Sequence, residues 1–157
     1  MLERRLRILL DTSFLLPTLG IGVEEATYRA LKTLKSMRNT ELYYLEEGLM
    51  EAIWVVIRFL DKIPLEVIEK GVEAIRRDYK VLYPDGRIIV EALKIYKLGH
   101  KDIIDALYYT TAKATNIKWL TIDKYFISFL EKQGYNVKEA ILTPEKLVKT
   151  YGNQQYI

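Results

Sequence analysis

The chain predicts an α/β fold, a three-layer α/β/α arrangement around a central, mainly parallel sheet of four to five strands. Two observations carry that prediction. Short apolar runs closed by turn residues alternate with longer amphipathic stretches along the whole sequence, an order that implies parallel pairing through helical crossovers. The first of these runs, rich in Leu and Ile and bounded by charge, also reads as a buried strand. At 157 residues, 50% hydrophobic and 29% charged, the chain is long enough for one hydrophobic core and has the composition of an ordinary globule.

The first run, Arg7 to Thr12, reads as a buried strand that a turn at Pro17 and Gly20 terminates. From Val23 to Met37, Ala26, Ala30, Leu31, Leu34 and Met37 recur at helical spacing between charges, which predicts an amphipathic helix. Glu41 to Leu45 suits a second strand by its aromatic content. A helix from Glu46 or Glu47 to Leu60 follows, and another begins at Pro64 and runs to Asp78 with Val67, Ile68, Val72 and Ile75 on one stripe. Tyr79 to Tyr83 is the third strand, stopped by Pro84, Asp85 and Gly86, and Ile88 to Leu98 is a short helix ended by Gly99. Asp102 to Thr115 is helical, Lys118 to Ile122 is the fourth strand, and Tyr125 to Lys132 is a helix broken at Gly134. Val137 to Leu142 predicts a marginal edge strand, and Thr143 caps a last helix from Pro144 to about Thr150.

Four acids interrupt segments otherwise built for burial: Asp11 in RILLDTSFLLP, Glu51 in GLMEAIWVVI, Asp105 in DIIDALYYTTA and Asp123 in KWLTIDKYF. An ionised carboxylate is costly to bury unless it is paired or bound to metal, so four of them predict a shared cation. Asp11 and Asp123 each close a strand at its carboxyl end, where ligands of parallel sheets bind. The net charge is only +3, from 24 Lys and Arg against 21 Asp and Glu. Clustering of the four acids would leave the remaining surface clearly basic.

Other classes are excluded or ranked lower. The chain has no Cys and a single His, His100, which rules out disulfides, thiolate zinc sites and multi-His metal sites. The apolar run after the basic start is too short for a secretory leader, and no run approaches the roughly 18 residues of a membrane span, so the expected location is the cytoplasm. His100 reads as an ordinary loop residue before it reads as a general base. Asp102 reads first as a helix N-cap and second as an accessory to the pocket, and Glu46 and Glu47 as acids suited to a helix start. Tyr43, Tyr44, Trp54, Tyr109 and Trp119 are expected in the core. Lys101, Lys113, Lys118 and Lys124 lie near the acidic motifs, where each reads equally as a phosphate contact or as part of a solvated charged face.

Together the motifs LLDTSFLLP, LMEAIW, DALYYTTA and LTIDKYF resemble the PIN-domain family of metal-dependent ribonucleases, most closely the VapC-type toxins of toxin-antitoxin pairs. The resemblance spans nearly the whole chain and implies a single PIN-like nuclease domain over residues 1–150 with a short tail at 151–157. It implies Asp11, Glu51, Asp105 and Asp123 as catalytic and metal-binding residues, with Thr12, Ser13, Asp102 and Thr121 in support. It also implies Mg2+ or Mn2+ as cofactor, because hard cations take carboxylate oxygens and keep several waters. The implied reaction is hydrolysis of an RNA phosphodiester by a metal-activated water. Implied partners are an RNA substrate, a small cognate antitoxin and a second copy of the chain, with the helices at Val23 to Met37 and Pro64 to Asp78 as candidate dimer faces. A non-catalytic RNA- or protein-binding module and a housekeeping RNA-processing nuclease are the alternatives. A phospho-accepting receiver domain fits worst, since Asp11-Thr12-Ser13 lacks the paired acids such a domain wants after its first strand.

Overall fold

The computed structural model describes residues 5–152. Five strands, β1 (Leu6–Leu10), β2 (Thr40–Leu45), β3 (Lys80–Leu82), β4 (Lys118–Leu120) and β5 (Ile141–Leu142), form one sheet in the order β3-β2-β1-β4-β5. Every pairing is parallel. Seven helices connect and cover them: α1 (Glu25–Ser36), α2 (Glu46–Ile57), α3 (Leu65–Asp78), α4 (Gly86–Lys97), α5 (Ile103–Thr115), α6 (Lys124–Lys132) and α7 (Pro144–Tyr151). Among the described residues no helix is long and apolar enough to cross a membrane.

The sheet separates two apolar cores, because successive side chains of a strand point to opposite faces. Ile8 and Leu10 of β1 enter one core with Ala30 and Leu34 of α1, Leu49 and Ala52 of α2, Ile75 of α3 and Leu147 of α7. Leu9 enters the other, with Ala92 and Ile95 of α4, Tyr108 and Tyr109 of α5, and Phe126 and Leu130 of α6. The three expected layers are therefore present.

Differences from the sequence expectation lie at element ends and have local causes. β1 stops at Leu10 because the Asp11 carboxylate accepts the Thr12 N–H at 2.9 Å and starts a single 3-10 turn over Thr12–Phe14. α2 ends at Ile57, where the chain tightens into turns with Phe59 N–H donating to Val56. α4 begins two residues early, at Gly86, with Asp85 capping the Ile88 N–H. Only Ile141–Leu142 of the edge run from Val137 pairs with β4. Thr143 caps α7 as expected. Of the anticipated tail, Tyr151 belongs to α7, and residues 153–157 lie outside the described residues.

One glycine is required by packing. Gly48 sits in the first turn of α2, and a Cβ there would stand 2.7 Å from Cζ of the fully buried Tyr108 and closer still to its hydroxyl. Gly48→Ala is therefore expected to force the α2 to α5 contact apart and to lower stability by about 1–3 kcal/mol or more. Thermal melting checks this, with a mutant as stable as the parent contradicting the packing argument.

Candidate active site

The strand order reverses beside β1, since the chain proceeds from β1 outward through β2 and β3 and then returns to the other side with β4 and β5. Such a switch point opens a crevice at the carboxyl ends of the central strands. Asp11 follows β1 directly, and its N–H continues the ladder by donating to Leu120 at 3.1 Å. Asp123 lies three residues beyond the end of β4. The two aspartates thus stand on adjacent strands of one rim.

Thr121 links them. Its hydroxyl donates to Oδ2 of Asp11 at 2.8 Å and accepts the Asp123 N–H at 3.1 Å. Asp123 also caps α6, accepting the Phe126 N–H through Oδ1 at 2.9 Å. Thr12 faces α2 and α5 together, its hydroxyl 3.4 Å from the Gly48 carbonyl and 3.4 Å from the Tyr108 hydroxyl. Gly48 lies one helical turn before Glu51, so this contact brings α2 against the β1 terminus. Ser13 is half-buried in the same turn. Asp102 caps α5 through Oδ1, accepting from Ile104 at 3.0 Å and Asp105 at 3.3 Å.

Burial and mutual repulsion shape the electrostatics of the acids. Burial pushes the Asp11 carboxyl up to about 7, against the opposing hydrogen bonds from Thr121 and Thr12, with Glu51 and Asp123 raising it further. Burial likewise pushes Asp105 up to about 9, and Asp102, Asp11, Asp123 and Glu51 add to the shift. Glu51 is raised by burial and by Asp102, and lowered by a hydrogen bond from Thr12. Asp11 and Asp105 therefore each feel the negative charge of Glu51 and Asp123. Among the described residues no Lys or Arg forms an ion pair with Asp11, Glu51, Asp105 or Asp123. The site is therefore short of positive charge.

Thr121 joins Asp11 and Asp123 at the rim, Asp105 feels the charges of Asp102, Asp11, Asp123 and Glu51, and Asp102 is both a helix cap and a neighbour of Asp105 and Glu51 in charge. Two expectations fail. His100 is not a free loop residue: its side chain is 10% exposed, and Nε2 lies 3.1 Å from Oδ2 of Asp105. The available signal was its place two residues ahead of the Asp102 cap, in the segment that leads into the helix turn carrying Asp105. Trp54 is 58% exposed rather than in the core, because it lies on the outer face of α2 with Met50 and Ile57, whereas Tyr44, Tyr109 and Trp119 are buried and Tyr43 is half-buried. Of the four lysines, Lys118 donates to the Lys138 and Glu139 carbonyls, Lys113 lies over the Tyr135 ring and Lys124 approaches Glu145 at 3.7 Å.

Such a rim can hold a hard cation. Among the described residues no group of three or more acidic or histidine side chains is already gathered closely enough to hold a metal ion, so a cation here would draw the carboxylates together or bind through one or two of them and keep its waters. The oxygen-only donors and their missing countercharge fit a divalent ion.

A family model described as PIN domain matches residues 8–130. Among solved structures, the fold is similar to the crystal structure of PAE2754 from Pyrobaculum aerophilum, with a TM-score of 0.62 and 17% identity over 94% of this chain and 96% of that one. It is also similar to VapC20 of Mycobacterium tuberculosis, described as a toxin that cleaves the sarcin-ricin loop, with a TM-score of 0.58 and 15% identity over 84% of this chain and 98% of that one. No curated protein matches the sequence significantly.

Proposed function

The chain belongs to the PIN-domain family, and on that premise we propose that it is a Mg2+- or Mn2+-dependent endoribonuclease, the toxin of a toxin-antitoxin pair, with residues 1–150 as the nuclease domain. The observation that carries the reading is that burial pushes up the Asp11 and Asp105 carboxyls, which both feel Glu51 and Asp123, while among the described residues no Lys or Arg is paired with any of the four. These four would hold the cation. A divalent ion there supplies a water of lowered pKa and neutralises charge on the phosphoryl oxygens. The chain itself does the positioning: Thr121 and the Thr12 N–H fix both oxygens of Asp11, the Thr12 hydroxyl meets the Gly48 carbonyl one turn before Glu51, and Asp102 holds the first turn of α5 that carries Asp105.

Exposed apolar side chains support the partner assignments. Met50, Trp54, Ile57, Phe59, Leu60 and Leu65 run along the end of α2 and into α3, beside Glu51, a patch suited to an antitoxin segment. Ile89, Val90, Leu93 and Tyr96 form a stripe on α4 that favours a homodimer through this helix over one through α1 or α3. A toxin acting on cellular RNA would work in the cytoplasm.

The test uses a circular single-stranded RNA, which exonucleases cannot enter. Linear fragments are expected with Mg2+ or Mn2+ and none with EDTA. Cutting that persists in EDTA would refute metal dependence. Co-purification of a small protein from the native operon distinguishes a toxin from a housekeeping nuclease.

A further inference from the structure

We propose that His100 is a positioning residue that locks the Asp105 carboxylate in its orientation toward the cation. The inference rests on the metal-site reading above. Its own observations concern a side chain to which that reading gives no part. Nε2 of His100 lies 3.1 Å from Oδ2 of Asp105, and the two side chains are 10% and 13% exposed. An ionised carboxylate only accepts hydrogen bonds, so the ring nitrogen is the donor when Asp105 is a ligand. The bond engages Oδ2.

The ring cannot turn freely. It stacks on Phe126 with centroids 4.2 Å apart and planes at 29°, and packs at 5.4 Å against Phe129. Both aromatics belong to α6, the helix that Asp123 caps through the Phe126 N–H. His100 therefore ties the helix carrying Asp105 to the helix that starts at Asp123. Hydrogen-bond partners of metal ligands typically change metal affinity ten- to a hundredfold when removed.

The experiment is a Mn2+ titration of the full chain, read by the electron paramagnetic resonance of free Mn2+. It compares the parent with His100→Gln, which keeps a donor, His100→Met, nearly the same shape without one, and His100→Phe, which keeps an aromatic ring for the stack. His100→Gln should bind within about threefold of the parent, and His100→Met and His100→Phe roughly ten- to a hundredfold more weakly. Melting temperature and RNA binding in EDTA should stay close to the parent's in His100→Gln and in at least one of the other two. Equal affinity in all four proteins overturns the proposal, and so does an equal loss in all three variants, which would assign the effect to packing. A parent that binds no Mn2+ overturns the metal-site reading itself, a result distinct from either of these.

Discussion

Asp11→Asn is expected to abolish metal-dependent RNA cleavage and, in metal-free solution near pH 8, to make the protein more stable. The two effects have one cause. Asn keeps the shape and the acceptor for the Thr12 N–H, and the Thr121 hydroxyl can accept from the new amide. It removes a negative charge that burial and two neighbouring carboxylates disfavour, as the rise of the Asp11 carboxyl to about 7 indicates. Relief of that penalty is worth on the order of 2–4 kcal/mol at pH 8, or roughly 5–15 °C in melting temperature for a chain of this size. Loss of the charge also removes an anionic ligand. If the ion contributes about 4 kcal/mol of charge stabilisation in the transition state, the rate falls roughly a thousandfold. A structural aspartate would behave in the opposite way, with stability lost on substitution. A variant less stable than the parent that still cuts RNA would contradict the account.

Stability should also depend on pH and metal together. The folded-state pKa values of Asp11 and Asp105 are raised from 3.8 to about 7 and about 9, and Glu51 is raised as well. Between these values and the unfolded ones the folded chain binds more protons than the unfolded chain. Stability is then fullest below about pH 4 for these groups and falls as pH rises through 7 and toward 9. Glu41, lowered to about 2 by Arg5, Tyr43 and Lys80, works the other way, but only below its unfolded value of 4.5. In EDTA the melting temperature should therefore drop between pH 6 and 8.5. Added Mn2+ should restore it at pH 8, where the ligands can ionise, and do little at pH 5, where protons compete. Calorimetry in EDTA and in excess Mn2+ measures both. A melting temperature that rises from pH 6 to 8.5 without metal, or a Mn2+ effect equal at pH 5 and pH 8, would contradict this.

The strand and helix order was legible because short apolar or aromatic runs alternate with longer amphipathic stretches, and Asp11 and Asp123 were legible because they end two of those runs. Glu51 and Asp105 were found as single charges in apolar helices. Element ends were less legible. The Asp11 side chain pulls Thr12 out of the strand, and β5 is only two residues long, pairing with Trp119 and Leu120 at the end of the short β4. His100 was missed because its burial comes from Phe126 and Phe129, some 26 to 29 residues away in sequence, and no local pattern encodes that contact. Trp54 was misread for the converse reason. An apolar helix such as α2 can be apolar all round with only one stripe facing the core, Leu49, Ala52 and Val56 here, and sequence alone does not say which face is left outward.

The central claim is that Asp11, Glu51, Asp105 and Asp123 share one cation. Anomalous diffraction at the manganese edge, from crystals grown with Mn2+, tests it most directly. A peak among these four carboxylates is the predicted result, and it should be absent from Asp11→Asn crystals grown in the same way. A well-diffracting Mn2+ crystal with no peak on that rim, or with its peak at another group of side chains, would contradict it.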